Sequence, residues 1–136
     1  MMARDLALAL AIVASIGCLG SLTPSDPIWG KQACAHCHML LSDPHSAAQL
    51  LSREADALYF DDVGCLIEFL RERPTDIEQA WVRDPNGTWL RATDARYTGK
   101  QSTPMGYGFL VRPSGELDFR AVQTAIASAA ALRRQP

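Results

Sequence analysis

Cys34-Ala35-His36-Cys37-His38-Met39 gathers two thiols, two imidazoles and a thioether into six positions. A third thiol, Cys65, lies on a later segment, and Met105 is the only other methionine beyond the N-terminal Met1 and Met2. Residues of these types at this spacing serve four chemistries. They are covalent haem attachment, structural zinc, a dithiol–disulfide pair, and binding of a soft metal such as copper.

Each chemistry makes its own demand on the chain. Cys34-x-x-Cys37-His38 matches the attachment pattern of haem c, with two thioethers and His38 as proximal ligand. Met105 would then be a possible second axial ligand. Small cytochromes of that kind are mostly helical, whereas this chain carries a strong hairpin signal at Asn86-Gly87. For zinc, Cys34 and Cys37 have knuckle spacing, and Cys65 with a histidine would complete four ligands, but the usual second close pair is missing. A thioredoxin-like pair needs a β-α-β context that is not evident here. Cu(I) prefers thiolate and thioether sulfurs. In an extended segment, residues two apart point the same way. Cys37 and Met39 would then project together, with His36 and His38 on the other side. Met105, between Pro104 and Gly106, sits on a stiffened loop able to present its sulfur. Cys65 is either a further sulfur ligand or a buried helix thiol.

The elements that must position these residues follow from local pattern. The 136 residues suit one domain, and 48% hydrophobic content with a net charge of −2 leaves no basic field for nucleic acid. Residues 1–17 read as a signal peptide. Leu6–Ile16 is an apolar run shorter than the ~20 residues of a membrane span, and it fits a secretory core. Ser15-Ile16-Gly17-Cys18 is similar to a lipoprotein cleavage site, which would make Cys18 a lipidated first residue and a membrane anchor. Residues 18–27, rich in Ser, Pro and Gly, read as a tether, and residues 28–136 as the folded domain.

Within that domain, Ser46–Phe60 has helical propensity but also divides into two strand-like halves, Ala47–Leu51 and Ala57–Phe60. Asp61 or Asp62 can cap a helix whose Val63, Leu66, Ile67 and Leu70 share a face and which ends before Pro74. Cys65 falls in its first turn. The segments around Asn86-Gly87 predict a hairpin. Thr103–Val111 begins as a glycine-interrupted loop and becomes a strand carrying Tyr107 and Phe109. Asp118 can cap a last helix with Phe119, Val122, Ile126 and Ala129 on one face. The sum is a compact α+β domain. No Ser/His/Asp arrangement or phosphate-cradling loop appears, so the chain does not read as an enzyme.

A longer set of residues resembles the NosL family. It comprises Trp29-Gly30-Lys31-Gln32-x-Cys34-x-x-Cys37-x-Met39, Ser42-Asp43-Pro44, Ala47-Ala48-Gln49, Phe60-Asp61-Asp62-Val63-Gly64-Cys65, Trp81-Val82-x-Asp84 and Thr103-Pro104-Met105-Gly106-Tyr107-Gly108. The resemblance implies an exported, lipid-anchored Cu(I) metallochaperone on the periplasmic side of a bacterial membrane. It implies a copper donor protein or a receiving cuproenzyme, such as nitrous oxide reductase, as partner. It further implies hairpin-plus-helix units, with Ala47–Phe60 a hairpin, and Cu(I) held by Cys37 and Met39. This chain departs from the commoner Cys-Gly-Met form by having His38 for glycine and by adding Cys34, a further ligand or a disulfide partner of Cys37.

Overall fold

The computed structural model describes residues 23–52, 56–74 and 79–135. The expected signal segment and Cys18 lie outside the described residues. The elements, in order, are β1 (Ala48–Leu51), β2 (Ala57–Phe60), α1 (Val63–Glu72), β3 (Ala80–Arg83), β4 (Trp89–Arg91), β5 (Tyr97–Thr98), β6 (Leu110–Val111) and α2 (Phe119–Arg133). One antiparallel sheet has the order β2-β1-β3-β4, and β5 pairs with β6 in a second. The architecture is α+β.

Within Ser46–Phe60, β1 and β2 pair antiparallel, with Ala48 opposite Phe60 and Leu51 opposite Ala57. Helix propensity loses here because every residue of β1 is buried. A central strand covered on both faces rewards a continuous apolar run, whereas a helix would bury one stripe of it.

The helices follow the pattern of their sequences. Asp62, not Asp61, caps α1 and accepts from the Gly64 amide at 2.9 Å. Asp61 instead accepts from the Ser42 amide at 2.7 Å. Val63, Leu66, Ile67 and Leu70 are buried, as their spacing predicts. Asp118 caps α2, which buries Phe119, Val122 and Ile126.

Two local expectations change form. The Asn86-Gly87 hairpin closes through Asp84 N–H to Thr88 O and Gly87 N–H to Asp84 O, with Gly87 at φ +84°. Glycine thus fills the left-handed position of a longer loop, not the centre of a two-residue turn. Tyr107 and Phe109 pack against the core but lie in irregular backbone, since Gly108 turns at φ +82° and the strand begins only at Leu110.

The described part of the expected tether is packed. Thr23–Trp29 forms a strap on the outer face of the main sheet. Its Ser25 exchanges hydrogen bonds with the Gln49 side chain at 3.1 Å in each direction. Asp26 pairs with Arg83 at 3.0 Å and accepts from Trp89 Nε1 at 2.9 Å. Cross-strand register places Trp81, Arg83, Trp89 and Arg91 on this face. The Arg83 guanidinium lies 5.2 Å from the Trp29 ring and 5.7 Å from the Trp89 ring. Ala80, Val82 and the cysteine core occupy the other face. The three tryptophans are therefore packing residues away from the thiols.

Arg83 joins the strap to the sheet by charge and by stacking at once. We expect Arg83→Ala to lower the unfolding free energy by about 1–2 kcal/mol. Arg83→Lys should restore little of it, because an ammonium lacks the flat face that stacks. The urea midpoint measures both, and an unshifted midpoint in Arg83→Ala would show that the strap is held otherwise.

Candidate metal centre

The Cys34–Met39 segment is the tip of a narrow loop. Leu41 N–H bonds Gln32 O, Ala33 bridges Leu40, and Cys34 N–H bonds Met39 O at 2.8 Å. Inside this frame His38 N–H donates to Cys34 O at 3.0 Å, closing a tight turn. Ala35 N–H donates to Tyr59 O at 2.8 Å, which fixes the turn to edge strand β2. The geometry requires a left-handed residue at the end of the turn, and His38 supplies it at φ +64°. This conformation disfavours most side chains and suits glycine, asparagine or histidine.

The turn directs Cys34 and Cys37 toward the start of α1, where Cys65 N–H bonds the Asp62 carbonyl at 2.9 Å. The three Sγ atoms lie within 4.8 Å of one another. All three thiols are free. Cys34 and Cys65 are fully buried, and Cys37 reaches the surface. A metal with bonds of ~2.3 Å to three sulfurs in a plane holds them about 4 Å apart. Only a small contraction of the cluster is needed. Among the described residues, no imidazole or carboxylate joins it.

The cluster is electrostatically asymmetric. The Cys65 S–H donates to Cys34, and with the backbone amides of Cys37, Asp61 and His36 this holds the Cys34 thiol at about 5 despite its burial. Cys65 is pushed up by that same bond, then by burial and by the neighbouring negative charges. Burial is the main influence raising Cys37. At neutral pH the cluster is thus one thiolate and two thiols.

The other expected site residues are placed differently. Met39 is 60% exposed and Met105 is 40% exposed. The expectation that Cys37 and Met39 project together assumed extended backbone, and the left-handed His38 between them breaks that alternation. His38 itself is exposed. His36 turns toward the far end of α1, with Nδ1 4.0 Å from Glu72 Oε2.

Met105 belongs to a loop seated on the first turn of α1. Its amide donates to Asp62 Oδ2 at 3.2 Å. The Tyr107 ring lies directly on Gly64, where a Cβ would come within 1.9 Å of its Cγ. Any residue but glycine would push the ring away. Burial pushes the Tyr107 phenol up to about 12. Sequence reasoning missed this contact. A glycine directly before Cys65 in a helical first turn was its one visible sign.

The turn geometry separates a backbone role for His38 from a ligand role. We expect His38→Gly to keep full metal affinity and to gain up to about 1 kcal/mol of stability, through relief of the left-handed strain. His38→Val should lose more than about 1 kcal/mol, because a β-branched residue resists this conformation. Thermal unfolding and metal titration of both variants check this, and loss of metal in His38→Gly would make the imidazole a ligand. Compared with known protein families, with curated proteins and with solved structures, the chain matches none.

Proposed function

We propose that this chain binds Cu(I) and passes it to or from a partner protein by exchange of sulfur ligands. The observation that carries the reading is the cluster of Cys34, Cys37 and Cys65, with sulfurs within 4.8 Å and no oxygen or nitrogen ligand among them. Cu(I) is satisfied by a few soft sulfurs. Zinc in a structural site normally takes four ligands. Two sulfurs are enclosed and Cys37 is accessible, which suits a site that holds an ion and yields it from one side. Met39, two residues beyond Cys37 and exposed, offers a thioether to an exchanging ion.

The resemblance to the NosL family extends this reading. It supports export, a lipid anchor at Cys18, a periplasmic location and a client such as nitrous oxide reductase. The haem alternative draws less support. Cys34 is enclosed with Cys65 beside it, which leaves its sulfur little access to a porphyrin edge.

Proton release distinguishes the possible ligand sets. Cys34 is already ionised at neutral pH, while Cys37 and Cys65 are raised and hold their protons. Binding to all three sulfurs therefore expels two protons, and affinity rises with pH. Between about pH 6 and pH 8 we expect Cu(I) affinity to climb about a hundredfold per pH unit. A site made of Cys37 and Met39 alone would expel one proton and climb about tenfold. Anaerobic competition against a chromophoric Cu(I) chelator measures the slope. An affinity independent of pH, or unchanged in Cys34→Ser, Cys37→Ser and Cys65→Ser, overturns the three-sulfur reading. An intense Soret band with covalent haem in protein matured by a haem-attaching host overturns the copper reading altogether.

A further inference from the structure

Three free sulfurs within 4.8 Å of one another can bond to a metal or to each other. They come from two places in the chain. Cys34 and Cys37 flank one tight turn, which His38 N–H closes onto Cys34 O at 3.0 Å. A turn keeps residues three apart within about 7 Å at Cα, and a disulfide spans about 4.4–6.8 Å there. The backbone of this turn is pinned by Cys34 N–H to Met39 O and by Ala35 N–H to Tyr59 O, both at 2.8 Å. Side-chain rotation within the turn is the short route to a sulfur–sulfur bond. Bonding to Cys65 would instead draw the loop against the capped first turn of α1.

Access divides the thiols differently. Cys34 and Cys65 are fully buried, whereas Cys37 reaches the surface. A disulfide arriving from solvent therefore meets Cys37 first, with Cys34 behind it. An accessible thiol backed by a second one is what thiol–disulfide exchange requires.

We propose that Cys34 and Cys37 form a redox-active dithiol that exchanges with incoming disulfides, with Cys37 as the attacking sulfur and Cys34 as the resolving one. Cys37 gives its proton to solvent, and its sulfur attacks the incoming disulfide. The incoming S–S bond breaks, one half leaves as a thiolate, and the other half stays bonded to Cys37. The Cys34 sulfur then attacks Cys37 Sγ and expels the second half. The pair has lost two electrons, and the incoming disulfide has become two thiols, which draw their protons from solvent. Cys65 keeps its thiol throughout. A consequence that rests on the Cu(I) reading above is that oxidation empties the site. The thiolate is the metal ligand, and a Cys34–Cys37 bond leaves Cys65 as the one thiol of the cluster.

The test equilibrates the whole chain, without copper, in glutathione buffers from fully reduced to fully oxidised. Acid quenching, alkylation and peptide mass mapping then read the state of each cysteine. We expect a two-electron transition that links Cys34 to Cys37 and leaves Cys65 open to alkylation. Cys34→Ser should accumulate the Cys37–glutathione mixed disulfide that the wild type resolves. Cys37→Ser should react at least about tenfold more slowly, because its remaining thiols are enclosed. A bond from Cys65 to either partner, a wild-type chain that stays reduced or stops at the mixed disulfide, or wild-type rates in Cys37→Ser overturns the proposal. The wild-type map alone decides the linkage, so the test survives a variant that fails to fold.

Anaerobic competition against a chromophoric Cu(I) chelator then compares the reduced and oxidised chains. We expect tight binding in the first and its loss in the second, and equally tight binding in both overturns the coupling of oxidation to release. A mapped Cys34–Cys37 bond with no tight binding in either state refutes the Cu(I) reading and leaves the dithiol standing. Tight binding by a reduced chain that forms no such bond refutes the dithiol and leaves the Cu(I) reading standing.

Discussion

A negative sulfur inside an apolar core is tolerable only if donors surround it. Cys34 meets that constraint, and much of the molecule is arranged to satisfy it. The turn of residues 34–38 aims backbone amides at the sulfur. The first turn of α1 delivers the Cys65 S–H. Around them pack Phe60, Val63 and Leu66, whose apolar side chains strengthen every bond within their reach by excluding water. The Ala35–Tyr59 hydrogen bond and the Asp62 cap are the two fixtures that bring turn and helix into contact.

The parts legible in the sequence are those governed by neighbours in the chain. The caps at Asp62 and Asp118, the face of Val63, Leu66, Ile67 and Leu70, and the stop at Pro74 are short-range matters. They stand where periodicity and capping chemistry put them. The hairpin of β1 and β2 was harder, because Ala and Leu favour a helix until a sheet covers both faces of the strand. The residues left helix and hairpin both open, and the family resemblance favoured the hairpin.

The site was legible in its residue types but not in its grouping. Cys34, Cys37 and Cys65 were all candidates, yet nothing local says that α1 brings Cys65 to the turn. The reading that Cys37 and Met39 project together assumed a straight backbone, and the left-handed His38 between them departs from that assumption. Asp62 looked like an ordinary cap because its second oxygen bonds a loop far along the chain. Thr23–Pro27 looked like a linker because Ser and Pro are common in linkers. Its partners Gln49, Tyr59, Arg83 and Trp89 lie on four strands and cannot be read from composition.

That strap also sets a path for mechanical load. It runs across the outer face of the sheet and then enters the loop that carries Cys34 and Cys37. A pull on the chain ahead of Thr23 reaches the Ser25 and Asp26 anchors first. From there it passes sideways into β1, β2, β3 and β4, whose ladder shares the strain. The sulfurs lie downstream of those anchors. Force on the end of the protein is therefore absorbed by the sheet before it can spread the thiols apart.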